Sequence, residues 1–257
     1  LKNIFSRSAD LILDNLHQLS RDELVFRVMP HFFLEIMHKY FRLEVVGKEN
    51  LPRKGAGIIL PNHSGYSGFD AFMVVHEVYS AIHRVPRVMT HPFWFFSKAT
   101  AIPAHKFGFL EATTRNGEDV LARNELLLLF PEGEKGNFKP TSQRYHLQEF
   151  KRGFVRMALR HQCPIIPTIV IGAEETHINL TQLKFSRFLR GTILPLPLNI
   201  LPLPARWKIC FLEPIQFPYK PDSADDTELV HELALDVYER MQERIRTLVN
   251  ERDGVFF

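Results

Sequence analysis

Along this chain, apolar positions recur either at helical spacing or in short unbroken runs. "FKRGFVRMALRHQ" (150–162) sets Phe154, Met157, Ala158 and Leu159 on or beside one face, which predicts an amphipathic helix. Near the start, "ADLILDNLHQL" places Leu11, Leu13, Leu16 and Leu19 near one face, and "HFFLEIMHKYF" follows as a second, more apolar segment. Both read as helices. A long closing helix is predicted from about Asp226 to Val249, with apolar residues at positions 230, 233, 237, 241, 245 and 248. Further helices are expected at "DAFMVVHEVYSAI", opening at Asp70, at "FWFFSKAT" and at "EDVLARN". The short apolar runs in "LEVVG", "GIILPNH", "PRVMT", "ELLLLFPEG", "PIIPTIVIG" and "WKICFLEPIQF" read as strands.

Strands separated by helices predict an α/β fold with a mostly parallel central sheet flanked by helices. To this the pattern adds an N-terminal helical segment, residues 1–41, and the long C-terminal helix of a main domain spanning 42–257. No internal repeat or low-complexity linker interrupts it. In such sheets, sites form beyond the carboxyl ends of the strands. Both "LPNHSG" and "LLLFPEGE" are polar turns directly after predicted strands, so they are expected to meet in space.

Composition narrows the classes. Hydrophobic residues at 45% and charged residues at 24% are ordinary for a globular chain. A net charge of +3, with no long basic block, argues against nucleic acid as a partner. Cys163 and Cys210 form no CxxC pair and read as core residues in a reducing compartment such as the cytoplasm. No apolar run reaches the roughly 18–20 residues of a spanning helix. The nearest, "TILPLPLNILPLP" (192–204), carries four prolines, and Asp10 and Asp14 break any signal-like run at the start. The 22 phenylalanines cluster at Phe32–Phe33, in "HPFWFF" and from Phe185 to Phe188, as a large core or a lipid-facing surface would require.

The densest chemistry lies in "NHSGYSGFDAF" (62–72). A nucleophile elbow needs its second glycine two residues after the serine, but in Gly65-Tyr66-Ser67-Gly68 it comes one residue after. Neither "HEVYS" nor "HELAL" has the second histidine of a zinc-binding H-E-x-x-H helix, and "GAG" (55–57) precedes its strand. A His63–Asp70 pair fits better: the carboxylate fixes the imidazole's tautomer and supports its charged form, so the ring can take a proton from a hydroxyl. Gly65 and Gly68 allow the six intervening residues to loop back. Asp70 is also a good N-cap for 71–82, and on this motif alone both readings stand.

In order, "PNHSGYSGFD", "GFLEATTRN", "LLLLFPEGEKG" and "CPIIPTIVIGAEE" resemble the four motif blocks of the glycerolipid acyltransferases, enzymes that acylate glycerol-3-phosphate, lysophosphatidic acid and related acceptors. The resemblance runs from about Gly47 to Pro218, with "VVGKENLP" before the first block and "EPIQF" at its end. It implies that His63 is the general base and Asp70 its charge partner. Arg115, with Gly108 ahead of it, matches the block associated with the acceptor's phosphate. Glu132 and Gly133 match the third block, also at the acceptor, and Pro164 and Pro167 the fourth, linked to the acyl chain or site shape. One feature departs from the pattern. The common block has four residues between histidine and aspartate; here there are six, with Gly68 where the usual aspartate falls.

The function so implied is transfer of a fatty acyl group to the hydroxyl of a glycerolipid acceptor such as lysophosphatidic acid. The donor would be a thioester, acyl-CoA or acyl-carrier protein, with no metal and no cofactor. A peripheral membrane protein is expected, attached through "HFFLEIMHKYF" or residues 192–204. The alternatives are a non-catalytic lipid-binding or scaffold protein of the same fold, and a lipid or thioester hydrolase.

Overall fold

Residues 29–64, 68–95, 97–184 and 193–256 are described by the computed structural model of this chain; the helix expected at 9–19 and the Phe185–Phe188 cluster fall outside them. Helix α1 (Met29–Tyr40) leads into β1 (Glu44–Val46) and β2 (Gly57–Pro61). Then α2 (Phe69–Ile82), β3 (Arg87–Thr90), α3 (Lys98–Lys106), β4 (Phe109–Glu111), α4 (Thr114–Ala122) and β5 (Leu126–Leu128) alternate. After the short α5 (Glu134–Asn137) come α6 (Gly153–His161), β6 (Ile165–Ile171) and the short α7 (Ala173–Thr176). A hairpin of β7 (Asn179–Lys184) and β8 (Ile193–Pro197), then β9 (Lys208–Phe211) and α8 (Thr227–Asn250), complete the chain.

Seven strands share one sheet in the order β1-β9-β6-β2-β5-β3-β4. Neighbours are parallel except β6 and β9, which pair antiparallel. The central strands β2, β5 and β6 are buried along their whole lengths, which is why they read as continuous apolar runs rather than alternating ones. Each face of the sheet carries its own core. On one side α6, α4 and α8 pack Phe154, Val155, Val120, Val237 and Ile245 against Ile58, Leu60 and Leu127. On the other, α1 and α2 pack Met37, Met73, Val74 and Val78, with Phe41 just past α1, against Ile59, Leu126 and Leu128. The closing helix is capped by Asp226, whose side chain accepts from the amides of Glu228 and Leu229.

Several elements differ from the sequence expectation for identifiable reasons. Helix α2 starts one residue earlier than expected, because Gly68 (φ 71°) takes the left-handed N-cap position and puts Asp70 inside the first turn. The "FWFFSKAT" segment divides into a 3-10 turn, Pro92–Phe95, and α3. Part of the proline-broken stretch, Ile193–Pro197, forms strand β8, which belongs to a two-stranded ribbon where prolines can sit without interrupting a central ladder. Among the described residues no helix is long and apolar enough to cross a membrane.

Candidate active site

The ends of β2 and β5 build the centre of the site. Just past β2, Asn62 mimics a strand partner: its Nδ2 donates to the carbonyl of Val170 (3.1 Å) and its Oδ1 accepts from the Val170 amide (2.7 Å). This buried side chain fastens the chain to β6 immediately before His63. The His63 ring then stacks on Phe130, from the end of β5, with centroids 3.9 Å apart. Its Nδ1 lies 2.7 Å from Asp70 Oδ2.

Asp70 is fully buried, and its carboxylate has three donors among the described residues. Oδ2 accepts from the amide of Ser64 (2.9 Å) as well as from His63, and Oδ1 accepts from the amide of Ala71 (2.8 Å). An ionised carboxylate only accepts, so the shared proton sits on Nδ1 and Nε2 keeps its lone pair. The His63 side chain remains 15% exposed, so the ring is held from one side and reachable from the other.

Glu132 holds the same turn through its backbone. Its Oε1 accepts from the His63 amide (2.9 Å), and Oε2 accepts from the Gln148 amide (2.7 Å). Behind it lies a buried ionic chain. Lys139 Nζ stands 3.8 Å from Glu132 Oε2 and 2.7 Å from Glu174 Oε1 on α7. Burial disfavours the Lys139 ammonium, but Glu174 and Glu132 outweigh it and hold its pKa above the ordinary lysine value. Burial likewise pushes the Glu174 carboxyl up to about 7, against the pull of Lys139. Glu174 Oε2 also accepts from the Tyr145 amide at 2.6 Å, so the network ties the 145–148 segment to the histidine turn. Gly136 makes the packing possible, since a Cβ there would lie 2.6 Å from Glu132 Cβ.

The remaining expected residues divide between the two ends of the sheet. Gly133 lies directly after Glu132, and its amide donates to the carbonyl of Phe130 (3.1 Å). Arg115 is exposed in the first turn of α4, just past β4. Since β4 is three places from β2 in the sheet, the two strand ends are separated by about 14 Å. Pro167 is buried within β6 opposite Leu60, where the ladder to β9 breaks off between Phe211 and an isolated bridge at Ile215. A proline nitrogen has no hydrogen to donate, and that interruption accommodates it. Pro164 and Gly108, by contrast, stand at the amino ends of β6 and β4, at the sheet's other end from His63. Sequence reading missed Asn62, Phe130, Gly136, Lys139 and Glu174. All five lie in or beside the quoted blocks, but only their buried contacts show what they do.

A family model described as Acyltransferase matches residues 42–171. An uncharacterized protein of Mycobacterium tuberculosis is 38% identical over 247 residues, covering 91% of this chain and 68% of its own. Another, from Mycobacterium leprae, is 36% identical over 250 residues, covering 89% and 68%. The crystal structure of the 1-acyl-sn-glycerophosphate (LPA) acyltransferase PlsC from Thermotoga maritima superposes with a TM-score of 0.59 over 96% of this chain and 90% of that one. At 14% identity, that match establishes a common fold. With its four blocks in order and the family model spanning the sheet from β1 to β6, this chain belongs to the glycerolipid acyltransferase family.

Proposed function

We propose that the protein transfers a fatty acyl group from a thioester, acyl-CoA or acyl-carrier protein, to the hydroxyl of a phosphorylated glycerolipid such as lysophosphatidic acid. The observation that carries this reading is the 2.7 Å contact between His63 Nδ1 and a buried, triply hydrogen-bonded Asp70. Nε2 takes the proton of the acceptor hydroxyl as its oxygen attacks the thioester carbonyl. The carbon–sulfur bond then breaks, and the departing thiolate takes the proton back from the ring, so the base is regenerated. Asp70 supports the imidazolium between these steps. Glu132 keeps the base in place by holding the His63 amide, and Arg115 offers its guanidinium to the acceptor's phosphate. Gly133 lies beside the acceptor, and Pro167 shapes the floor on which the acyl chain lies.

Both substrates are amphiphiles, and an apolar surface supports a peripheral membrane position. Phe32, Phe33, Ile36 and Tyr40 are exposed on α1, and Leu198, Ile200 and Leu201 are exposed on the segment after β8. The two groups adjoin, since the Tyr40 hydroxyl donates to the carbonyl of Pro202 at 2.7 Å.

The test is incubation of purified protein with a radiolabelled acyl thioester, with and without candidate acceptors. Label appearing in lipid only when acceptor is present is the expected result. Release of free fatty acid alone would replace this reading with hydrolysis. Neither product, from folded protein across a panel of donors and acceptors, would leave a lipid-binding or scaffold role.

A further inference from the structure

Helices α1 and α2 bring three metal-ligating side chains together outside the acyl-transfer site. His31 and Glu35 lie one turn apart on α1, and His76 comes from α2. One ligand atom from each lies within 4.8 Å of the other two, the one such group of histidine, cysteine and carboxylate atoms among the described residues.

The hydrogen bonding around His76 prepares its other nitrogen for a cation. The side chain is buried, and its Nδ1 is 3.2 Å from Glu77 Oε1. Glu77 is held in turn by Lys48 Nζ at 2.9 Å, with His38 Nε2 at 3.5 Å. The carboxylate accepts from Nδ1, which leaves Nε2 as the ring nitrogen that faces Glu35. That buried nitrogen has no hydrogen-bond partner among the described residues, yet Glu35 Oε1 lies 3.4 Å away. With the ring neutral, two acceptors face each other at this distance, and a cation between them, a proton or a metal ion, removes the repulsion. Around a tetrahedral zinc ion with bonds of about 2.0–2.1 Å, neighbouring ligand atoms are about 3.3–3.4 Å apart. The spacing between Nε2 and Oε1 matches that edge. The His31 ring, tilted 33° to that of His76 with centroids 5.2 Å apart, sets a second imidazole beside it, one ligand atom within 4.8 Å of those of His76 and Glu35.

We propose that His31, Glu35 and His76 form a zinc site, open to water on the exposed His31 side, that clips α1 onto α2. Two imidazoles and one carboxylate suit Zn²⁺ among divalent ions. An outer carboxylate on the second nitrogen of His76 is the arrangement that orients a metal-bound histidine. The sequence pattern H-E-x-x-H does not reveal this site, because its ligands come from two helices. The clip joins the helix carrying Phe32, Phe33 and Ile36 to the helix whose first turn holds Asp70.

The full chain, stripped with a chelator and dialysed metal-free, is titrated with Zn²⁺ against a chromophoric competitor, and its melting temperature is followed with and without the metal. The expected result is uptake of one ion per chain and a rise in melting temperature. His31→Asn and Glu35→Gln change exposed positions on α1 and keep the core, and each should weaken uptake at least about 10-fold and remove the thermal shift. His76→Asn should do the same. Failure of the wild-type chain to take up zinc would overturn the proposal, because the cluster would then be bridged by a proton. Unchanged uptake in the folded His31→Asn and Glu35→Gln variants would overturn it too.

Discussion

Asp70 Oδ2 lies 2.7 Å from His63 Nδ1 although six residues intervene, two more than in the common motif of this family. The longer loop therefore preserves the pair. The contact depends on charge as well as shape, because Asp70 receives three donors and an asparagine amide must turn its own hydrogens toward one of them. Asp70→Asn and His63→Ala should each lower acyl transfer by about 10²–10⁴-fold while circular dichroism remains native. Near wild-type turnover in a folded Asp70→Asn variant would reduce the aspartate to a helix-terminal residue.

The fold was legible because its signals are local. Buried central strands give unbroken apolar runs, and α6 and α8 give clear helical faces, so the sheet and its flanking helices follow from pattern alone. The His63–Asp70 pair was legible because both residues lie in one short stretch of sequence, between the end of β2 and the first turn of α2. The chain of Glu132, Lys139 and Glu174 was not, since its members come from three separate segments of the chain and a buried lysine looks like any surface lysine in sequence. Asn62 was hidden for a similar reason: its side chain completes a backbone ladder, and no residue pattern encodes that.

Gly136 tests whether Glu132 acts by positioning the histidine turn. A methyl group at Gly136 would meet Glu132 Cβ at 2.6 Å and Cδ at 2.8 Å, so the carboxylate must move. Gly136→Ala should reduce kcat without a matching change in acceptor KM, because the amide of His63 loses its anchor. Glu132→Gln, which keeps the volume, should also fall in kcat. Equal kcat in both variants and wild type would show that the His63 turn holds itself.

Arg115 is exposed, so its removal leaves packing intact and isolates its effect on substrate. Arg115→Ala should raise KM for a phosphorylated acceptor about 10- to 100-fold, the loss of one charge-assisted contact worth roughly 1.5–3 kcal/mol, with the melting temperature unchanged. A rise in KM for the thioester alone would place the donor, not the acceptor phosphate, at the end of β4.

Glu174 gives the protein a pH signature. Its carboxyl is raised by burial to about 7 from an ordinary 4.5, so between these values the native state binds more protons than the unfolded chain. Stability from this group is fully present below about 4.5 and is lost as pH rises through 7. The stability of the wild type minus that of Glu174→Gln should accordingly fall across this window, measured by urea denaturation at several pH values. Lys139→Met should cost about 3–5 kcal/mol, because it leaves two buried carboxylates without their cation. A pH-independent difference between wild type and Glu174→Gln would mean that Lys139 keeps Glu174 ionised throughout.

The two faces of α1 separate membrane contact from core packing. Met37 and Phe41 are buried on the sheet side, whereas Phe32 is 67% exposed and Phe33 47%. Ile200 and Leu201, 86% and 80% exposed, lie on the segment that Tyr40 ties to the same helix. Burying one such side chain contributes roughly 1.5–3 kcal/mol, so losing two from a lipid interface should weaken partitioning by about two to four orders of magnitude. The double variants Phe32→Asp with Phe33→Asp, and Ile200→Asp with Leu201→Asp, should each melt near the wild type yet sediment far less with phospholipid vesicles. Met37→Asp should instead collapse the melting transition, since it places a charge in the core. If both double variants fold and still bind vesicles like the wild type, this surface is not the one that meets lipid. If either melts as poorly as Met37→Asp, its apolar side chains hold the fold rather than the bilayer.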